Sequence, residues 1–166
     1  MRILGLDPAL TRTGWGVIAV SGTKLVHVAN GAIATPAAQS LAARLALLYA
    51  GLVGVLEEYA PDSVAVEMAF VAKDPGAALK LGHARGVVLL AAAQAGVTIA
   101  EYAPNHIKKS VVGAGHADKA KVQAMVRRLL PTAQFSSADA ADALACAIAH
   151  AHLSATNARL AAAMSS

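Results

Sequence analysis

Several residue types are scarce in this chain of 166 residues. A single cysteine, Cys146, excludes an internal disulfide and a zinc cluster built on thiolates. Long hydrophobic runs are missing as well. Stretches such as GVVLLAAA before Gln94 fall well short of the ~20 apolar residues that a membrane span needs. The first strand pattern begins almost at Met1 and leaves no room for a signal peptide, so the expectation is a cytoplasmic protein with no membrane contact. Acids are few, 10 against 14 Lys and Arg, which gives a net charge of +4. That basic balance admits a polyanionic partner without requiring one. The hydrophobic fraction of 57% is largely alanine spread over helix-like stretches, and the length suits one domain with a full core.

Three extended segments come first, at 2–7, 14–20 and 24–34, separated by the turn-rich PALTRT and SGT. Their order predicts an antiparallel meander. Residues 40–59 place Leu41, Leu45, Leu48, Leu52 and Val55 at helical spacing and stop before Pro61. SVAVE at 63–67 reads as a short strand, 76–95 as a second long helix and 97–103 as a fifth strand. Further helices are predicted at 105–112, 117–130 and 137–153, the last two divided by Pro131. Strands clustered first and then alternating with helices predict an α/β fold, a mixed sheet covered by helices on both faces. Residues 1–153 form the expected single domain, and the Ala/Ser tail of 154–166 is expected to be weakly ordered.

The carboxylates are placed unevenly. Asp7 and Glu67 each close an apolar strand, where an unpaired charge is costly. If those strands are parallel neighbours, both side chains emerge at one edge of the sheet, where open α/β sheets place their ligands. In SSADAADALA, Asp139 and Asp142 are three residues apart, which stacks them on one helix face near a helix start. Taken singly, a strand-end Asp before Pro is ordinarily a turn former, and a first-turn Asp pair is ordinarily a surface feature. Four such acids in an acid-poor chain point to a metal site.

Physics then selects the ion. Two carboxylates about 4 Å apart repel by roughly 4 kcal/mol at a near-surface effective dielectric, so a four-acid cluster needs cations. All-oxygen ligands suit Mg²⁺ or Mn²⁺ rather than zinc. A pair of such ions is the arrangement that stabilises attacking and leaving oxygens in phosphodiester cleavage.

The blocks LGLDPALTRTGWG, VAVEMAFVAKD, ALKLGHARG, EYAPNHIKKSVVGAGHADKAKVQ and SSADAADALACAIAHAH resemble, in order and across nearly the whole chain, the RuvC family of Holliday-junction resolvases. The resemblance implies an RNase H-like fold with sheet order 3-2-1-4-5, strand 2 antiparallel, and a homodimer. It also implies Mg²⁺-dependent cutting of two opposed strands at a four-way DNA junction, in concert with a branch-migration helicase. Matched by position, Asp7, Glu67, Asp139 and Asp142 fall on the family's four catalytic acids. Lys108 and Lys119 match basic residues near the scissile strand, where they stabilise developing phosphate charge. The chain departs from the family at Ala9, where glycine usually follows the DP pair.

Phe70, one of two phenylalanines, follows Glu67 by three residues. It is either a core ring or, like the family's matching aromatic, a ring that stacks on bases unpaired at the crossover. Lys73 is placed to meet backbone phosphate. Lys108, Lys109, Lys119 and Lys121 form the densest basic stretch, around the flexible VVGAGHADK. Lys80 and Arg85 on the second long helix serve either DNA or the dimer, His106 and His116 are placed for phosphate, and the other histidines read as structural. The helix at 76–95 carries apolar residues around most of its circumference, which suggests packing on a partner. A four-way junction is close to two-fold symmetric, and a C2 homodimer supplies two matched sites. Two other readings compete: a junction-binding scaffold with a degenerate active site, and an actin-like nucleotide phosphotransferase, which would need two such domains.

Overall fold

A computed structural model describes residues 1–70, 73–135 and 137–164, with side chains placed up to residue 156. Strands β1 (Arg2–Asp7), β2 (Arg12–Ser21) and β3 (Lys24–Ala34) form the antiparallel meander. Helix α1 (Leu41–Tyr59) leads to β4 (Ser63–Glu67), α2 (Pro75–Gln94) to β5 (Thr98–Tyr102), and α3 (Pro104–Val112), α4 (Lys119–Leu129) and α5 (Ala138–Met164) follow. The sheet order is β3-β2-β1-β4-β5, with β1, β4 and β5 parallel, as expected.

Alternation along the strands sorts the core into two layers. Ile3 on β1, Ile18 on β2 and Ala65 on β4 face α3, α4 and α5, whereas Leu4, Leu6, Val17, Val64 and Val66 face α1 and α2. Helix starts are fixed by short polar caps. Ser40 Oγ accepts from the Ala43 N–H at 3.3 Å, Asp74 Oδ1 from that of Ala77 at 3.1 Å and Asp118 Oδ1 from that of Lys121 at 2.8 Å. The cap at Asp118 starts α4 at Lys119, two residues later than the periodicity predicts. Helix α5 passes its predicted end at Leu153 and runs to Met164. Its continuation, SATNARLAAAM, has no proline or glycine to stop it. The Ala/Ser tail continues the helix to Met164, and Ser165 and Ser166 lie outside the described residues.

Helix α2 has one inward side. Ala84, Val88, Ala91 and Ala92 are buried in the core, while Leu79 is 63% and Leu90 51% exposed. By length and composition alone α2 is apolar enough to cross a membrane, which the short uninterrupted runs did not suggest.

Candidate active site

The site begins with strand register. Ile3, Leu4, Gly5 and Leu6 of β1 pair in parallel with Ser63, Val64, Ala65 and Val66 of β4. One further step sets Asp7 beside Glu67. Both follow the phase of Gly5 and Ala65, so both project on the α5 side of the sheet. The parallel pairing thus brings two strand-ending carboxylates to one mouth.

Helix α5 reaches that mouth because the strands beneath it lack side chains where it crosses. A β-carbon on Gly5 would overlap the carbonyl of Ala143, and one on Gly14 the carbonyl of Asp139. Gly14 is the antiparallel partner of Asp7, so the same register that places Asp7 also seats the first turn of α5. Alanines at 140, 141, 143, 145 and 147 of α5 are buried against this surface. Ser137 caps the helix through Oγ, which accepts from the Ala140 N–H at 3.2 Å. Asp139 then falls in the first turn, favoured by the helix dipole, and Asp142 one turn further on.

A cleft of about 260 Å³ opens at this mouth, lined by Asp7, Glu67, Lys108, Lys119 and Asp142 among others. Lys119 donates from Nζ to Asp142 Oδ2 at 3.0 Å. Arg12 Nε stands 4.0 Å from Asp139 Oδ2. Among the described residues Asp139 and Asp142 therefore each meet one cation, Arg12 from β2 and Lys119 from α4. Among the described residues Asp7 and Glu67 form no ion pair, and both carboxyls are raised chiefly by burial. Burial, then the charges of Glu67, Asp142 and Asp139, pushes the Asp7 carboxyl up to about 8, against a smaller opposing pull from Lys119. Burial and Asp142 raise Glu67 in the same way. Lys119 is raised by its hydrogen bond and charge contact with Asp142.

These groups fit a hard divalent cation by chemistry. The donors are carboxylate oxygens only, and at Asp7 burial and the neighbouring acids outweigh the pull of Lys119, an excess of negative charge that a cation would offset. Among the described residues, no three acidic, histidine or cysteine side chains stand close enough to enclose an ion as they are. The carboxylates are gathered at one mouth but not closed on a common point.

A profile described as crossover junction endodeoxyribonuclease RuvC matches residues 3–150. The chain belongs to the RuvC family. The enzyme of that name from Parvibaculum lavamentivorans is 61% identical over 164 residues, covering 99% of this chain and 94% of the relative. That of Rhodopseudomonas palustris is 57% identical over 160 residues, covering 96% and 92%. The RuvC structure from Thermus thermophilus in complex with a Holliday junction substrate aligns with a TM-score of 0.89 at 35% identity, over 95% of this chain and 96% of that one. A yeast mitochondrial Holliday junction resolvase, 11% identical over 92% of this chain and 80% of its own, shares the fold at a TM-score of 0.66. RuvC nucleases depend on divalent metal ions.

Against this RuvC frame the remaining expected site residues separate. Lys108 lines the cleft from α3, whereas Lys109, Lys121 and His116 are exposed and are not among its described lining residues. Phe70 is 88% exposed just beyond β4, so it is not a core ring. Lys73 and Lys80 are exposed, and between Phe70 and Lys73, residues 71–72 lie outside the described residues. Arg85 is not a free cation: it forms an ion pair with Glu101 of β5. His106 is exposed beside Lys109 in a cleft between α3 and α5. His150 is structural, buried between the Tyr102 hydroxyl at 2.8 Å from Nδ1 and the Ser63 hydroxyl at 3.1 Å from Nε2.

Ala9 keeps its turn without the usual glycine. Its N–H donates to Thr13 Oγ1 at 3.2 Å and its carbonyl accepts from that hydroxyl at 2.8 Å. Ala60 is the one non-glycine residue with positive φ among the described residues, so no left-handed geometry is imposed on Ala9. Sequence reasoning missed the seats at Gly5 and Gly14 and the contact of Arg12 with Asp139. Gly5, Gly14 and Gly16 inside otherwise apolar strands were a usable signal, because a strand glycine often marks close backbone approach.

Proposed function

We propose that this chain resolves Holliday junctions by metal-dependent cleavage of two opposed DNA strands, with Asp7, Glu67, Asp139 and Asp142 as catalytic acids and metal ligands. The observation that carries the reading is the gathering of Asp7, Glu67 and Asp142, with Lys108 and Lys119, around one cleft of a RuvC-family fold, near enough to Asp139 for its charge to act on Asp7. Two Mg²⁺ ions fit the oxygen donors, and the chemistry they supply is stabilisation of attacking and leaving oxygens during phosphodiester hydrolysis. Lys119 is held by Asp142 at the cleft wall, so its ammonium is within reach of a phosphate oxygen that gains charge in the transition state. Lys108 offers a second positive charge from α3. Phe70, already in water, stacks on a base unpaired at the crossover. Lys73, Lys80, Lys109, Lys121 and His116 contact backbone phosphates around the cleft. Arg85 keeps its ion pair with Glu101 and is assigned to shaping α2 rather than to DNA.

The active unit is a C2 homodimer formed through the outer face of α2, where Leu79 and Leu90 lie exposed. Residues 1–153 form the nuclease domain, acting in the cytoplasm beside a branch-migration helicase. Labelled four-way junctions incubated with and without Mg²⁺ test the reading. Paired nicks at the crossover are expected only with the metal. Tight binding without nicks would favour a junction-binding scaffold.

A further inference from the structure

Beyond Lys108 and Lys119, two further cations, Arg12 at the start of β2 and Arg127 on α4, line clefts that share Gln134. Arg12 leaves the start of β2 half exposed, 54% by side chain, with only a 4.0 Å contact to Asp139. It lines a cleft of about 350 Å³ with Asn30, Gln134 and Ser137. Gln134 is also in the wall of a second cleft, of about 570 Å³, which it shares with Arg127 and Phe135. The Arg127 guanidinium lies over the Phe135 ring, 4.2 Å from its centroid, and this stacking limits its freedom. The segment between the two arginines is pinned as well: Asn30 Nδ2 donates to the Gln134 carbonyl at 3.0 Å. No carboxylate is among the described residues lining either cleft.

A DNA strand whose scissile phosphate lies at the carboxylates has to leave the site in two directions. Lys108 and Lys119 line the cleft that takes that phosphate, on its α3–α4 side. We propose that the groove from Arg12 past Gln134 to Arg127 is a second phosphate-binding track, which holds the backbone of a duplex arm leaving the site. The proposal rests on the resolvase reading above. Arg12 is also positioned to trade partners: its contact with Asp139 is long and half in water, and a charge-assisted bond to phosphate replaces it at little cost. The two arginines grip backbone and read no base, so they act alike on a junction arm and on linear duplex of the same sequence.

The test is a double variant, Arg12→Gln with Arg127→Gln, assayed by fluorescence anisotropy on a synthetic four-way junction and a matched linear duplex in metal-free buffer over a range of salt. Two lost phosphate contacts reduce the slope of log affinity against log salt by about 1.8. Junction and duplex should weaken by the same factor, and the charge-retaining pair Arg12→Lys with Arg127→Lys should recover most of the slope. Should the double variant melt early, Arg12→Gln alone is read, with half the change in slope. An unchanged slope in a folded variant overturns the track. Weakening confined to the junction overturns the assignment to the arm. Failure of the wild-type chain to bind or cut junctions is a different result and overturns the resolvase reading instead.

Discussion

Gly14 of β2 lies against the carbonyl of Asp139, so close that a β-carbon on the glycine would overlap the oxygen. The position of an α5 carboxylate is thus set by the absence of a side chain on a strand. Gly14→Ala has to push the first turn of α5 away from the sheet. Overpacking of this kind costs about 1–3 kcal/mol. The expected result is a lower melting temperature together with a cleavage rate at saturating protein reduced by far more than the stability loss explains. Equal cleavage by a folded Gly14→Ala protein would show that the seat is not needed for chemistry.

Asp7→Asn keeps the shape of the side chain and removes its charge. Mg²⁺-dependent cleavage should vanish, while junction affinity without metal stays equal or rises, because the acid cluster repels phosphate. The variant also carries a pH signature. In the folded metal-free protein Asp7 titrates near 8 rather than 3.8, so between those values the native state holds a proton that the unfolded chain has released. Stability therefore falls as pH rises through that window. Glu67, shifted the same way, adds to the trend. Thermal melts of the wild type and Asp7→Asn across pH 4 to 9 should show a shallower decline in the variant, and Mg²⁺ should flatten the decline in the wild type.

Lys119 is bonded to Asp142 at 3.0 Å, yet its side chain is 71% exposed. That exposure makes its value to stability small. Lys119→Ala should slow cutting of fully bound junction at least tenfold and shift the melting temperature little. Weaker binding with normal cleavage of the bound complex would reduce Lys119 to a plain phosphate contact.

The exposed ring of Phe70 makes its deletion harmless to the fold. Phe70→Ala should weaken junction cleavage by an amount equivalent to about 1–3 kcal/mol of lost stacking, with no fall in melting temperature. Linear duplex binding should not change.

On α2, Ala84 and Val88 are fully buried, so charge there tests the core rather than an interface. Leu90 is the informative position at 51% exposure. Leu90→Glu should give monomers in sedimentation with a near-normal melt, and paired cuts should become single nicks. Wild-type paired cutting by a monomer would remove the two-site argument.

Much of this was readable in one dimension, because it follows from local pattern. Asp7 and Glu67 end apolar strands in the text of the sequence, and Asp139 and Asp142 are one turn apart on any helix. Alternation and helical spacing are short-range properties, so the element order, the meander and the carboxylate ends came out of the chain alone. The blocks around those acids sufficed to suggest the family.

What the sequence could not decide was which groups meet across long separations. That Asp7 and Glu67 share a face depends on the register between β1 and β4, set by packing on both sides of the sheet. Whether Phe70 is core or exposed depends on where the chain goes after β4, and whether Arg85 is free depends on Glu101 of a neighbouring strand. Arg12 meets Asp139 across more than a hundred residues of chain, only because glycines let α5 down onto the sheet. Local residue types determine what each segment can offer. Tertiary packing, which weighs all segments against each other at once, decides which offers are brought to the same mouth.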